Sequence, residues 1–144
     1  PFTGHEEYAE HGGNAVVAYQ KFVGKDYDIK ARRVSPTGVV GGEIFVRNTP
    51  AQESAPSVAL SPSGGSFVVG YNTDVLGSTT GNRTVEVREF NASDVPVGGF
   101  NLPAFPNSIA PALSIDHFGR YQLSYTGGVG ADHSRVLACH SSRR

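Results

Sequence analysis

The sequence predicts an all-β chain built from repeated blades, and three observations predict it. A short segment recurs: Gly13 to Tyr19, Gly65 to Tyr71 and Gly119 to Tyr125 each place a Gly six positions before a Tyr, with an apolar run between them in the first two copies, and the copies stand 52 and then 54 residues apart. A period of that size signals propeller blades or solenoid units. Among 144 residues there are 18 Gly and 9 Pro, set between short runs of Val, Tyr, Phe and Thr, which is the composition of strands cut by turns. Finally, no segment repeats apolar residues at helical spacing for more than two turns, so helix is expected to be nearly absent.

The middle copy is the most complete. Residues 56–61 read as a first strand, ended by the turn chemistry of Pro62, Ser63, Gly64 and Gly65. Residues 66–72 form the second strand, with Phe67, Val69 and Tyr71 on one face because side chains alternate. Residues 84–91 form the third, in which Val85 and Val87 alternate with Glu86 and Arg88. After a turn at Ala92, Ser93 and Asp94, residues 97–102 form a fourth strand with Gly98 and Gly99 near its start. Four antiparallel strands joined by tight turns make one up-and-down blade.

The flanking copies keep the same order. Residues 28–34 repeat the third strand and 40–46 the fourth; residues 111–115 repeat the first strand and 135–140 the third. Arg32, Arg88 and Cys139 fall at one strand position, where the arginines are expected to thread between blades and hold backbone carbonyls or acids. Ala18, Gly70 and Ser124 fall at another, and a small residue fixed there predicts close approach by a neighbouring sheet. The blades divide near 1–54, 55–109 and 110–144 within one domain.

The pattern Pro-x-Val-Ala, Gly-x-Phe-Val-Val-x-Tyr, Val-x-Val-Arg-x-Phe and Val-Gly-Gly resembles the repeats of large secreted or surface bacterial proteins of β-propeller type. The resemblance spans nearly the whole chain and rests on structural motifs. It implies blades and an extracellular or cell-surface setting, and it supplies no catalytic residue. Where such repeats often carry Trp, this chain has Tyr19, Tyr71 and Tyr125, and the acidic turn after the first strand is reduced to Asp116, which weakens a calcium reading. The Trp and Asp-box residues of kelch and sialidase-type blades are missing.

Closed propellers hold roughly four to eight blades, and this chain supplies about three. The sequence therefore predicts a homo-oligomer, a head-to-tail homodimer closing a six-bladed ring. In it residues 1–10, with Glu6, Glu7 and Glu10, leave their own first-strand place and pair with the last blade of another copy, near Arg135, Arg143 and Arg144. The alternative is a soluble piece of a longer propeller. No charged and apolar leader opens the chain, which fits a mature or excised product.

Little in the chain announces chemistry. A net charge of −1 with scattered Lys and Arg argues against a nucleic-acid surface, and no apolar run approaches a membrane span. The lone Cys139 forms no internal disulfide, and no Cys cluster holds zinc; it reads as an inert packing residue. His5 and His11 match no metal spacing, and Asp132-His133-Ser134 lists triad residue types as neighbours, which point apart on an extended chain. His117 reads as a turn-capping residue. The glycine-rich residues 127–130 precede no helix, and the acceptor patterns at Asn82 and Asn91 read as turns. No metal or cofactor is expected.

Loops between repeated strands are the better place for a site. They are expected at residues 20–28, 48–55, 72–83, 103–110 and 126–134, and Tyr27, Asp74, Asn82, Asp132 and His133 are their ligand-binding candidates. The expected function is a non-enzymatic, lectin-like binding or structural module, whose ligand is a glycan or a protein held at the loops or in grooves between blades. The alternatives are a hydrolase or lyase working through carboxylates at a central channel, with Asp116 as its one acid, and an excised or designed fragment with no ligand of its own.

Overall fold

Gly12 and Gly13 both sit at positive φ, 59° and 83°, and fold the chain into a two-residue hairpin that sets His11 opposite Asn14. That turn begins the first of three antiparallel sheets. The structure is a computed structural model that describes residues 6–63, 65–74, 82–106, 109–127, 135–136 and 139–141. Sheet 1 runs in order through β1 (Glu6–His11), β2 (Asn14–Val23), β3 (Asp26–Val34) and β4 (Ile44–Arg47). Sheet 2 repeats the order with β5 (Glu53–Leu60), β6 (Phe67–Asp74), β7 (Asn82–Phe90) and β8 (Pro96–Pro106). In sheet 3, β9 (Ile109–Ile115) pairs one edge of β10 (Tyr121–Gly127), and β11 (Arg135–Val136) and β12 (Cys139–Ser141) pair the other. No helix occurs among the described residues.

The sheets stack face to face, with β5 against β1, β2 and β3, and β9 against β5, β6 and β7. Alternation along each strand decides which side chains meet. Phe67, Val69 and Tyr71 point from β6 toward sheet 1, where they pack with Val16, Ala18, Ile29, Ala31, Ile44 and Val46. Val68, Val85 and Val87 point the other way and pack with Tyr121, Leu123 and Tyr125 of sheet 3. Each fully buried large side chain contributes roughly 2 kcal/mol. The small residue at position 70 has the expected cause: a Cβ on Gly70 would stand 3.2 Å from Leu113 Cδ1 of sheet 3.

The arginine position behaves as expected in sheet 2, where Arg88 Nη1 donates to the Val46 carbonyl of sheet 1 at 3.0 Å. Arg32 stays within its own sheet, donating to the Gly41 carbonyl at 2.9 Å and to the Tyr19 hydroxyl at 3.2 Å. Its neighbour Arg33 makes the crossing instead, pairing with Asp94 at 2.6 Å and donating to the Gly65 carbonyl at 2.7 Å. The register supports the alignment of the third strands, because Arg32, Arg88 and Cys139 lie opposite Val17, Val69 and Leu123.

Several expectations are corrected. Residues 6–11 do not leave their sheet; β1 fills the first-strand place with Glu6 opposite Tyr19, because the glycine hairpin returns the chain directly onto β2. The expected loop at 20–28 is mostly strand, turning only at Gly24 and Lys25, with Gly24 at φ 70°. β4 is shorter than its expected span, and Gly41 and Gly42 lie before it, whereas β8 contains its glycine pair and runs on to Pro106. His117 does not cap its turn. Asp116 does, accepting the backbone N–H groups of Phe118 and Arg120, both at 2.9 Å.

The β8 pair separates backbone need from side-chain crowding. Gly99 sits at φ 150°, and a Cβ there would collide with the Val87 carbonyl oxygen; at Gly98 it meets only the flexible Glu89 carboxylate at 3.0 Å. Gly99→Ala is expected to cost about 3 kcal/mol in urea unfolding and Gly98→Ala no more than about 1 kcal/mol. Equal losses would disprove the backbone explanation.

Candidate functional site

Of the five loop candidates, Tyr27, Asp74 and Asn82 lie within the described residues. Tyr27 is half-buried, its ring edge-on to Phe22 at 5.1 Å, and its N–H donates to Gln52 Oε1 at 3.1 Å. Asp74 pairs with its cross-strand neighbour Arg83 at 2.8 Å, and its N–H donates to the Gln52 carbonyl at 3.0 Å. Gln52, in the link between sheets 1 and 2, thus joins these two candidates. Asn82 opens β7 opposite Pro106. Asp132 and His133 lie outside the described residues.

A groove between sheets 1 and 2 holds more chemistry. Its cleft of about 610 Å³ is lined by Arg47 from β4, by Tyr71, Glu86 and Arg88 from β6 and β7, and by residues 96 and 98–101 of β8, including Asn101. The geometry follows from the register: Tyr71, Glu86 and Asn101 lie opposite one another across three strands and therefore share the face toward sheet 1. The Tyr71 hydroxyl donates to Glu86 Oε2 at 2.8 Å, and Arg47 Nε stands 3.3 Å from the same oxygen. Burial, with the Glu86 carboxylate beside it, pushes the Tyr71 phenol well above its ordinary range. Two guanidinium groups, one carboxylate and an amide in a concave site suit a polar ligand bound by several hydrogen bonds.

At the same joint, acids are buried with few partners. Glu53 is fully buried, with Thr49 donating to its Oε1, while Oε2 has no hydrogen-bond partner. Both carboxylate oxygens of buried Asp28 and the hydroxyl of Thr73, opposite Glu53, also lack partners. Burial pushes the Glu53 carboxyl up to about 7, against the Thr49 hydrogen bond, and the nearby Asp28 charge adds to the rise. Burial likewise raises Asp28.

Sequence reasoning missed Arg47, Glu86, Asn101, Gln52 and Glu53, and Glu86 shows one cause. A polar residue alternating with valines reads as solvent-facing, but both faces of sheet 2 are covered, so Glu86 is buried. Asp116, the single acid offered for hydrolysis, is engaged by its own turn and pairs with Arg120 at 2.6 Å; desolvation alone would raise its carboxyl, but the hydrogen bonds from Arg120 and Phe118 together hold it below the ordinary range. Among the described residues no three His, Cys, Asp or Glu side chains converge as metal ligands, and no helix is long and apolar enough to cross a membrane. Comparison with known proteins finds no matching family model, no matching curated protein and no matching solved structure.

A carboxyl raised in the folded state favours the protonated form, so the stability it contributes is complete below its unfolded value of 4.5 and is lost as pH rises through about 7. The thermal midpoint is expected to fall as pH rises across that window. Glu53→Gln is expected to flatten the profile and to gain on the order of 2 kcal/mol at alkaline pH. A wild-type midpoint that does not change over the same range would refute this account.

Proposed function

We propose that the chain is a non-enzymatic binding module, working outside the cell or at its surface, whose three sheets are propeller-type blades stacked as a rigid scaffold. Its ligand is a glycan or an extended protein segment held in the groove between sheets 1 and 2. The observation that carries this reading is the groove itself, where Arg47, Glu86, Arg88 and Asn101 gather around one concave space. The paired sheets hold these residues in place, so a ligand meets them already ordered. The hydrolase alternative is less well supported, because Asp116 is tied into a turn.

For assembly we propose a stack of three sheets rather than a ring of two copies. A ring would join the outward faces of sheets 1 and 3, and both differ from the internal faces. Ala15 stands where sheet 2 has Phe67, and exposed Gln122 and half-buried Ser124 stand where it has Val68 and Gly70. The polar outer face of sheet 3 is what a terminal repeat of a stack needs for solubility.

Two measurements test these readings. Arg47→Ala is expected to weaken any ligand retained from a glycan or peptide array by about tenfold, the loss of one charged hydrogen-bond donor. An array without hits, alongside turnover of a polysaccharide that Asp116→Asn abolishes, would replace the binding reading with the enzymatic one. Light scattering at micromolar concentration is expected to give the mass of one chain, and a stable dimer would restore the ring.

A further inference from the structure

Strand β8 closes sheet 2 with an open backbone edge. Among the described residues nothing pairs its outer side, because the sheet runs in the order β5-β6-β7-β8 and stops there. An edge strand turns the N–H and C=O groups of alternate residues away from its neighbour, and natural proteins guard such edges with charges, prolines or bulges. Residues 95–106 contain no charged residue, although β8 is 11 residues long. The outer edge of sheet 1 is different: β4 is only 4 residues long, with Glu43 just before it and Arg47 at its end.

The blocking elements stand at the two ends of β8 and leave its middle open. Its pairing with β7 shifts register between Arg83 and Val85 and again between Glu89 and Phe90. Between those shifts Leu102, Asn101, Phe100, Gly99 and Gly98 face Val85, Glu86, Val87, Arg88 and Glu89 without a break. Pro96 and Pro103, which have no N–H to offer, bracket the same stretch. The regular window is therefore residues 98–102. One of its faces is covered, since Phe100 and Leu102 pack against the core shared with sheet 3. The other opens on the groove of about 610 Å³, whose wall includes Gly99 and the exposed Asn101.

We propose that residues 98–102 bind an extended segment of another protein by strand addition, its alternate side chains entering the groove. Only a backbone presents donors and acceptors at the spacing a strand edge requires, so the unpaired ladder selects a peptide over a glycan. A second copy of β8 fits less well. Paired antiparallel, it would bring its own Gly98 and Gly99 to the cleft and leave the space unfilled. The prolines and register shifts confine the added strand to a short window, which keeps β8 from templating an extended sheet. The proposal rests on the groove reading above and commits it to the protein ligand.

The test begins with a phage-displayed library of random linear nonapeptides, selected on the whole chain. Recovered peptides are expected to be rich in Val, Ile, Thr and Tyr, because an added strand must be extended. The tightest is then titrated as a synthetic peptide and as two copies, N-methylated at its odd or at its even positions. One copy is expected to bind about tenfold more weakly or worse, through lost backbone hydrogen bonds, and the other to bind as the parent does. Amide hydrogen exchange is expected to slow at alternate residues of 98–102 when the peptide is bound. Recovery of no peptide overturns the proposal, as does indifference to both methylation patterns, equal loss on both, or unchanged exchange across 98–102. Protection of 98–102 that grows with protein concentration and needs no peptide would also overturn it, in favour of a second copy. A peptide that ignores N-methylation but is lost on Arg47→Ala would reject strand addition and keep the groove reading. A glycan bound in the groove, with no peptide recovered, would do the same.

Discussion

Everything in this protein depends on sheets packed so closely that each must present matched faces to its neighbours. Sheet 2 shows the constraint most plainly. One face of β6 carries Phe67, Val69 and Tyr71, which fill the space against the small residues Ala18 and Ala31 of sheet 1. The other face carries Gly70, whose missing side chain admits Leu113 and Leu123 of sheet 3. A large face against a small one, repeated in one direction, is how a single strand pattern builds a stack. The same constraint explains why a small residue recurs at positions 18, 70 and 124 and why aromatic rings recur one place away.

Polar groups occupy the margins of these joints, where the sheets diverge. Arg88 and Arg33 cross between sheets 1 and 2 and satisfy backbone carbonyls that edge strands and turns leave unpaired. Glu53 and Asp28 are the costly exceptions, carboxyls removed from water with few hydrogen bonds in return. The joint between sheets 1 and 2 is therefore where packing, titration and the polar groove coincide. Arg47 contributes to all three, since it lines the groove, faces Glu86 and lowers the proton affinity of Glu53.

Departures from the repeat separate what folding needs from what it does not. Tyr19 and Tyr71 each donate to a carboxylate, but sheet 1 places that acid on the strand edge at Glu43 and sheet 2 places it mid-sheet at Glu86. The first is surrounded by Lys21, Lys30 and Arg32 on an open face; the second is enclosed by sheet 1. One repeated position thus supports an exposed charged cluster in one sheet and a buried groove wall in the next.

The sequence by itself determined the all-β class, the four-strand order of the middle sheet, the face shared by Phe67, Val69 and Tyr71, and the close approach at Gly70. These are local properties, set by alternation, turn residues and side-chain size within a few positions. Tertiary structure alone decided that Glu86 and Glu53 are buried, that Arg33 rather than Arg32 bridges two sheets, and that Arg47 lines one groove with Tyr71, Glu86 and Asn101. Strand alternation says which residues share a face but not whether that face meets water or another sheet. Residues 6–11 were hard to read for a related reason: their charges hid a strand whose place was fixed by two glycines beyond its end. The candidate groove was illegible because its walls come from strands separated by tens of residues, brought together only when the sheets stack.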